Sequence, residues 1–257
     1  MIGRSGPTDA IINLNKPQGI SSAQALYRVR KVTGVRKSGH AGTLDPAADG
    51  VLVLCLGKTT RLVELIMNQP KVYRAVARLD ATSESFDSAR PLLPVSVSEP
   101  PLRERIEAAL RAFEGESQQV PPSISAVKVG GLPAYRRVLK GQSPELKARP
   151  VQIYWIHLHA YEWPTLDFEM ACGRGTYVRA VVRDLGQRLG TGGVLTKLAR
   201  LRVGPFTICT SIGLQELCDF QMPISDSLRA PWLIPIDEVR RLLETTPTIP
   251  PPLPKGD

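Results

Sequence analysis

The chain predicts an α+β fold, a central mixed and largely antiparallel sheet flanked by helices, and three observations carry that expectation. Strand-like and helix-like patterns alternate irregularly along the sequence, which favours a mixed sheet over a doubly wound parallel one. Residues 151–161 and 166–172 form two strand-like runs close enough to close a hairpin, which makes them antiparallel neighbours. With 257 residues, 42% of them hydrophobic, the chain has material for one large core or two small ones.

The elements follow in order. Residues 11–14 read as a strand, and Ser21 or Ser22 caps a helix that Gly34 ends. Residues 39–50, GHAGTLDPAADG, make a glycine-rich loop, and the unbroken apolar run VLVLCL at 51–56 reads as a buried strand. A short helix is expected over 59–66 and a half-buried strand over 72–79. Residues 91–101 are a proline-rich connector, and 102–113 an amphipathic helix. Residues 120–149 are basic, turn-rich and poorly periodic, with one helix near 134–139. The hairpin follows, then a helix over 176–189 with Val178, Val181, Val182, Leu185 and Leu189 on one side. Arg179 and Arg183, four apart, share its other face. Five prolines in residues 247–254 predict an extended, disordered tail.

The four cysteines, Cys55, Cys172, Cys209 and Cys218, lack metal-ligand spacing and read as free thiols in a reducing compartment. No apolar stretch reaches the length of a membrane span, and the opening MIGRSGPTDA is not a signal peptide, so a soluble, cytoplasmic protein is expected. The net charge is +9. Residues 171–210 carry seven Lys or Arg against the single acid Asp184, whereas 211–257 carry four basic and seven acidic residues. That asymmetry predicts a polyanionic partner held on one face.

The 39–50 loop is the most informative segment. Asp45 precedes Pro46 and is biased away from helical torsions, and Gly39, Gly42 and Gly50 let backbone approach a ligand. A carboxylate is thus presented on a shaped loop beside a rigid strand, a common way to display a reactive group. A turn in which Asp45 only caps backbone amides fits the same residues.

An ordered set of short motifs accompanies this loop: NKPQGI at 15–20, KVYR at 71–74, QVPP at 119–122, SAVK at 125–128, GTYVR at 175–179 and DLG at 184–186. Together they resemble the TruB family of tRNA pseudouridine synthases, which isomerise uridine 55 in the T-loop of tRNA, and the resemblance runs from about residue 10 to 235. It implies the pseudouridine synthase fold, with residues 8–235 as the catalytic domain and an RNA-gripping insertion at about 118–150. Residues 236–257 are then a short acidic helix and the proline-rich tail, too short for the C-terminal PUA-type domain that fuller family members carry.

The resemblance also implies roles. Asp45 is the catalytic carboxylate, acting as nucleophile or base at the ribose. Arg179 is the cation that keeps it ionised, since a guanidinium suits a two-point grip on a carboxylate. Tyr73 stacks on the flipped uracil, and flipping costs a few kcal/mol that pocket contacts recover. His40, Tyr177, Leu198, Lys16 and Lys128 bind substrate or shape its pocket, with His40 filling the gap left in the T-loop. Arg136, Arg137, Lys140 and Arg183 contact the RNA backbone, which positions RNA without reading sequence. The isomerisation neither adds nor removes atoms, so no cofactor and no metal is expected. The partner is the T-arm of tRNA, with no membrane and no guide RNA, and the protein is expected as a monomer.

Two positions depart from the family pattern. Ile124 stands where an aromatic hydroxyl is common, and Arg90 where the run after the tyrosine strand usually ends in glycine. Other chemistries find less support. Gly57-Lys58-Thr59 is not a P-loop, because the required earlier glycine is Leu52. His157 and His159 share a strand face but have no cysteine pattern beside them for a metal. His40 and Asp45 lack the Gly-x-Ser-x-Gly elbow of a hydrolase. The serious rivals are a non-catalytic RNA-binding or tRNA-chaperone protein on the same fold, and a guide-dependent ribosomal RNA synthase.

Overall fold

In a computed structural model of the chain, residues 9–219, 232–245 and Ile249 are described. Contacts divide them into two compact units, one built from residues up to Tyr73 and from Ala199 onward, the other from Arg74–Leu198. The expected tail at 247–254 lies outside the described residues, Ile249 excepted.

The first unit is organised around the strand Ala10–Lys16. It pairs antiparallel with Asp49–Leu56, from Ile11 opposite Cys55 to Lys16 opposite Gly50. On its other side it takes Ile212–Gly213 in parallel and Leu233–Pro235 antiparallel. Ser38–His40 adds to the far edge of Asp49–Leu56, and Ala199 and Arg200 pair in parallel with its start at Asp49 and Gly50. Alternate strand residues enter two separate cores. Ile12, Leu14, Leu52, Leu54 and Leu56 pack with Ala25, Leu26 and Val29 of the helix Ser22–Thr33. Ile11, Val51, Val53 and Cys55 pack on the opposite face with Ile66, Phe206 and Val239. Covering on both faces is why residues 51–56 show no polar alternation.

The helix Ser22–Thr33 has the boundaries its sequence encodes. Ser21 and Gln24 form a reciprocal capping box, and Gly34 closes the last turn in the left-handed region. The helix expected at 59–66 differs. A 3-10 turn at Gly57–Leu62 comes first, and the α-helix covers only Val63–Met67. The Thr59 hydroxyl donates to the carbonyls of Ala10 and Leu56, tying the tight turn to the strands.

In the second unit the predicted hairpin is present as Arg149–Glu162 and Thr165–Cys172, and Gly115–Gln119 adds an antiparallel strand beside Arg149–Ile153. The helix Arg103–Arg111 packs against this sheet and against the helix Val178–Leu189. Val181, Val182, Leu185 and Leu189 bury the latter helix, at about 1.5–3 kcal/mol for each such side chain. That helix starts two residues later than its sequence suggests, with Tyr177 as the capping residue. Residues 128–138 form a small ribbon, Lys128–Val129 with Leu132–Pro133, and a short helix Ala134–Val138. The α+β class with a mixed sheet is thus the architecture observed. Among the described residues no helix is long and apolar enough to cross a membrane.

Candidate active site

In the first unit the loop bearing Asp45 is fixed on several sides. The Ser22 hydroxyl accepts from Leu44 N–H at 2.9 Å and lies 3.0 Å from the Leu44 carbonyl, to which it donates. On the far side of Asp45, Gly19 N–H donates to the Pro46 carbonyl at 2.8 Å, and Ala48 N–H returns to the Asp45 carbonyl. The half-buried Asp45 side chain therefore projects from backbone with little freedom.

Arg200 holds the same loop from inside the protein. Its guanidinium is 1% exposed and donates to three carbonyls, from Nε to Val51 (2.7 Å), Nη2 to Gly42 (3.1 Å) and Nη1 to Thr43 (3.3 Å). Gly50 makes the approach possible. Its φ is +100°, and a Cβ there would lie 2.3 Å from the Arg200 carbonyl oxygen. Sequence counting placed Arg200 on a basic surface, but it is an internal strut, and Arg179 is also buried.

Lys16 is fully buried and donates from Nζ to the carbonyls of Pro17 and Ile20, at 2.8 and 2.9 Å. Burial lowers its ammonium to about 8, against the opposing pull of the Asp49 and Asp45 carboxylates. Those bonds fold its ammonium back onto the turn that follows its own strand. His40 ends its strand half-buried, and burial, with the Arg200 charge, holds its imidazole below the ordinary value. A neutral ring suits stacking and hydrogen bonding. Tyr73 is 9% exposed in the strand Lys71–Arg78.

In the second unit Arg179 sits in the first turn of Val178–Leu189 with a side chain 4% exposed. Nη1 donates to the Ser85 carbonyl and Nη2 to the Ile124 carbonyl, both at 3.0 Å. Nε lies 3.5 Å from Asp87 Oδ2, and Asp87 Oδ1 accepts from the Ser85 hydroxyl (2.5 Å) and Ala89 N–H (3.1 Å). The departure at Ile124 leaves this arrangement intact, because the main-chain carbonyl makes the contact. Arg90 is exposed, 3.9 Å from Glu84.

Tyr177 is half-exposed, and its backbone is held by Gln119. Leu198 is 9% exposed in the strand Val194–Val203. Of the insertion residues, Lys128, Arg136 and Lys140 are exposed, whereas Arg137 donates to the Val129 carbonyl and braces the ribbon. Arg183 is engaged too, with Asp184 Oδ1 at 2.6 Å, the Val120 carbonyl at 3.0 Å and the Phe86 ring beneath it. Its guanidinium packs against protein on these sides. Of the motif and charge residues, Asp87, Gln119 and Arg200 had no site role in the sequence. Their partners lie far away along the chain, so the only signals were a carboxylate in SESFD, a glutamine in QVPP and an arginine in a strand.

His157 and His159 meet edge to face at 5.1 Å, and His159 Nε2 lies 3.3 Å from Glu169 Oε2. Among the described residues no group of three His, Cys, Asp or Glu is arranged to hold a metal. A cleft of about 350 Å3 in the second unit is lined by Phe113, Gln118, Ile153, Asp184 and Arg188, none of them a predicted site residue.

Comparison with known proteins adds to this geometry. Residues 30–178 match the family model described as TruB family pseudouridylate synthase (N terminal domain), and residues 179–243 match the tRNA pseudouridylate synthase B C-terminal domain. Proteins named tRNA pseudouridine synthase B are similar at 40% identity. That of Arthrobacter sp. strain FB24 aligns with 89% of this chain and 77% of its own, and that of Syntrophus aciditrophicus strain SB with 90% and 76%. Among solved structures, the crystal structure of a Cbf5–Nop10–Gar1 complex superposes with a TM-score of 0.70 at 27% identity, over 91% of this chain but only 62% of the other.

Proposed function

The chain belongs to the TruB family of pseudouridylate synthases, and on that premise we propose that it isomerises uridine 55 in the T-loop of tRNA to pseudouridine. The observation that carries the proposal is the half-buried Asp45 on a loop braced by Ser22, Gly19 and Arg200. A carboxylate on so firmly braced a backbone meets the demand of attack or proton abstraction at a ribose carbon, where positioning accounts for much of the rate.

In this reaction the bond from uracil N1 to C1′ breaks, the base turns, C5 bonds to C1′, and the proton lost from C5 is matched by one taken up at N1, so that no atom is gained or lost. Asp45 acts at the ribose and Arg179 supplies the positive charge that keeps it ionised. Tyr73 stacks on the flipped base, His40 occupies the space it vacates, and Tyr177 and Leu198 line the uracil pocket. Lys16 keeps the loop in shape, while Lys128, Arg136, Arg137, Lys140 and Arg183 belong to the RNA-binding part. Substrate recognition centres on the T-arm, in a monomer that requires neither guide RNA nor cofactor. Residues 8–235 form the catalytic domain. A pure RNA binder would have no use for a carboxylate on so firmly braced a loop.

The test is to incubate the purified protein alone with unmodified tRNA and with a T-stem-loop fragment, then map pseudouridine. Product at position 55 in both, without guide or partner protein, is expected. Binding without product would mean a chaperone, and product only with added guide RNA would mean a guide-dependent enzyme.

A further inference from the structure

Gln119 ends the strand Gly115–Gln119 and is 5% exposed. Its carboxamide meets both backbone groups of one distant residue. Oε1 accepts from Tyr177 N–H at 2.8 Å, and Nε2 donates to the Tyr177 carbonyl at 3.2 Å. A side chain thereby imitates one rung of a β-ladder and leaves both of its own polar ends satisfied.

The place of that rung matters. Tyr177 caps the helix Val178–Leu189 from the extended region, at φ −104° and ψ 113°, and no side chain caps the helix there. The preceding turn includes Gly175 at φ +87°, where a side chain would be strained, and the Thr176 hydroxyl donates to the Gly173 carbonyl at 3.2 Å. The Tyr177 carbonyl also accepts the first helical bonds, from Ala180 and Val181 N–H at 3.1 Å. Fixing Tyr177 therefore fixes the first turn, and Arg179 lies two residues on. A second tie, from Arg183 to the Val120 carbonyl, joins the same helix to the residue after Gln119.

We propose that Gln119 is a positioning residue for pseudouridylation: its carboxamide sets the orientation of Tyr177 and of the first helical turn that bears Arg179. This rests on the assignment of Tyr177 and Arg179 to the uridine site made above. Gln119 acts through those residues and touches no reacting atom.

The test compares wild type with Gln119→Met, which keeps the length and removes both bonds, and Gln119→Glu, which keeps the acceptor for Tyr177 N–H and loses the donor. Single-turnover rate on T-stem-loop RNA, RNA affinity and thermal midpoint are measured well below unfolding. Gln119→Met should lose roughly ten- to a hundredfold in rate, the scale of a small misplacement of reacting groups, with affinity changed less than about threefold. Gln119→Glu should recover part of the rate, and it decides the question if the Met variant does not fold. A lowered thermal midpoint with an unchanged rate in the folded variant would reduce Gln119 to a structural role and overturn the inference. No product from wild type overturns the pseudouridylation proposal and this inference with it, whereas active wild type and equally active Gln119→Met overturn this inference alone.

Discussion

Asp87 and Arg179 form a buried charge pair, with Asp87 Oδ2 3.5 Å from Arg179 Nε. The arginine that the family resemblance assigns to the catalytic carboxylate thus has Asp87 at its side, and Asp87 is in turn oriented by Ser85 and Ala89. An arginine near a reacting carboxylate has many rotamers, and a carboxylate at its side restricts them.

Replacing Asp87 tests that restriction. Asp87→Asn keeps the shape and some hydrogen bonding but removes the charge. A stability loss of about 1–3 kcal/mol is expected, the usual scale for a hydrogen bond to a charged group. Turnover should fall by roughly tenfold or more while RNA affinity holds, because misplacing a catalytic group costs rate first. Single-turnover kinetics alongside a binding isotherm separates the two, and undiminished turnover would show that Arg179 needs no second carboxylate.

Asp45→Asn is the direct test of the proposed chemistry. It preserves the loop, whose bonds run through backbone atoms, and abolishes the nucleophile or base. RNA binding should survive within about threefold, roughly 0.7 kcal/mol, and product should vanish. Measurable pseudouridine from the purified variant would remove Asp45 from its role.

Arg200→Met leaves the carbonyls of Gly42, Thr43 and Val51 without their donor. Leaving a buried polar group unpaired costs about 1–3 kcal/mol, so a total loss of about 3 kcal/mol or more is expected in denaturant unfolding. Arg200→Lys should rescue little, because one ammonium cannot span three carbonyls in a fork geometry. A stability loss no larger than that of an exposed arginine would mean the loop holds itself.

Lys16 gives a pH signature. Its ammonium titrates near 8 in the folded chain against an ordinary 10.5. Between these values the unfolded chain keeps a proton that the folded chain has released, so stability from this group rises with pH through that window, and the full penalty applies below it. Unfolding free energies of wild type and Lys16→Met, measured at about pH 7 and about pH 10, should diverge in favour of wild type at the higher pH. A difference independent of pH would mean that Lys16 titrates normally.

Legibility in the sequence followed the range of the interactions. The helix Ser22–Thr33 could be bounded to within one residue at its start and at Gly34 at its end, because its caps lie beside its own span. The hairpin and the buried strand Asp49–Leu56 were equally plain, since their patterns are local. The strand Val194–Val203 was not, because Lys197, Arg200 and Arg202 interrupt its apolar positions and read as surface charge. Gly115–Gln119 has only polar side chains after its glycine, so its place in the sheet rests on backbone pairing with Arg149–Ile153. The late start of the helix Val178–Leu189 has a similar cause: the bonds that hold Tyr177 come from Gln119, 58 residues earlier. The motif pattern singled out Asp45, Tyr73 and Arg179, but their supports Arg200, Asp87 and Gln119 depend on contacts no short motif encodes.

The bond from Arg200 to the Val51 carbonyl spans 149 residues, and that separation orders events during synthesis. A ribosome moving along the message makes Asp45 early and Arg200 late. Between those two points the nascent chain therefore carries the 39–50 loop without the strut that shapes it. The loop that carries Asp45 is completed only after residue 200 has left the exit tunnel, so its final shape waits on a segment made 149 residues after Val51.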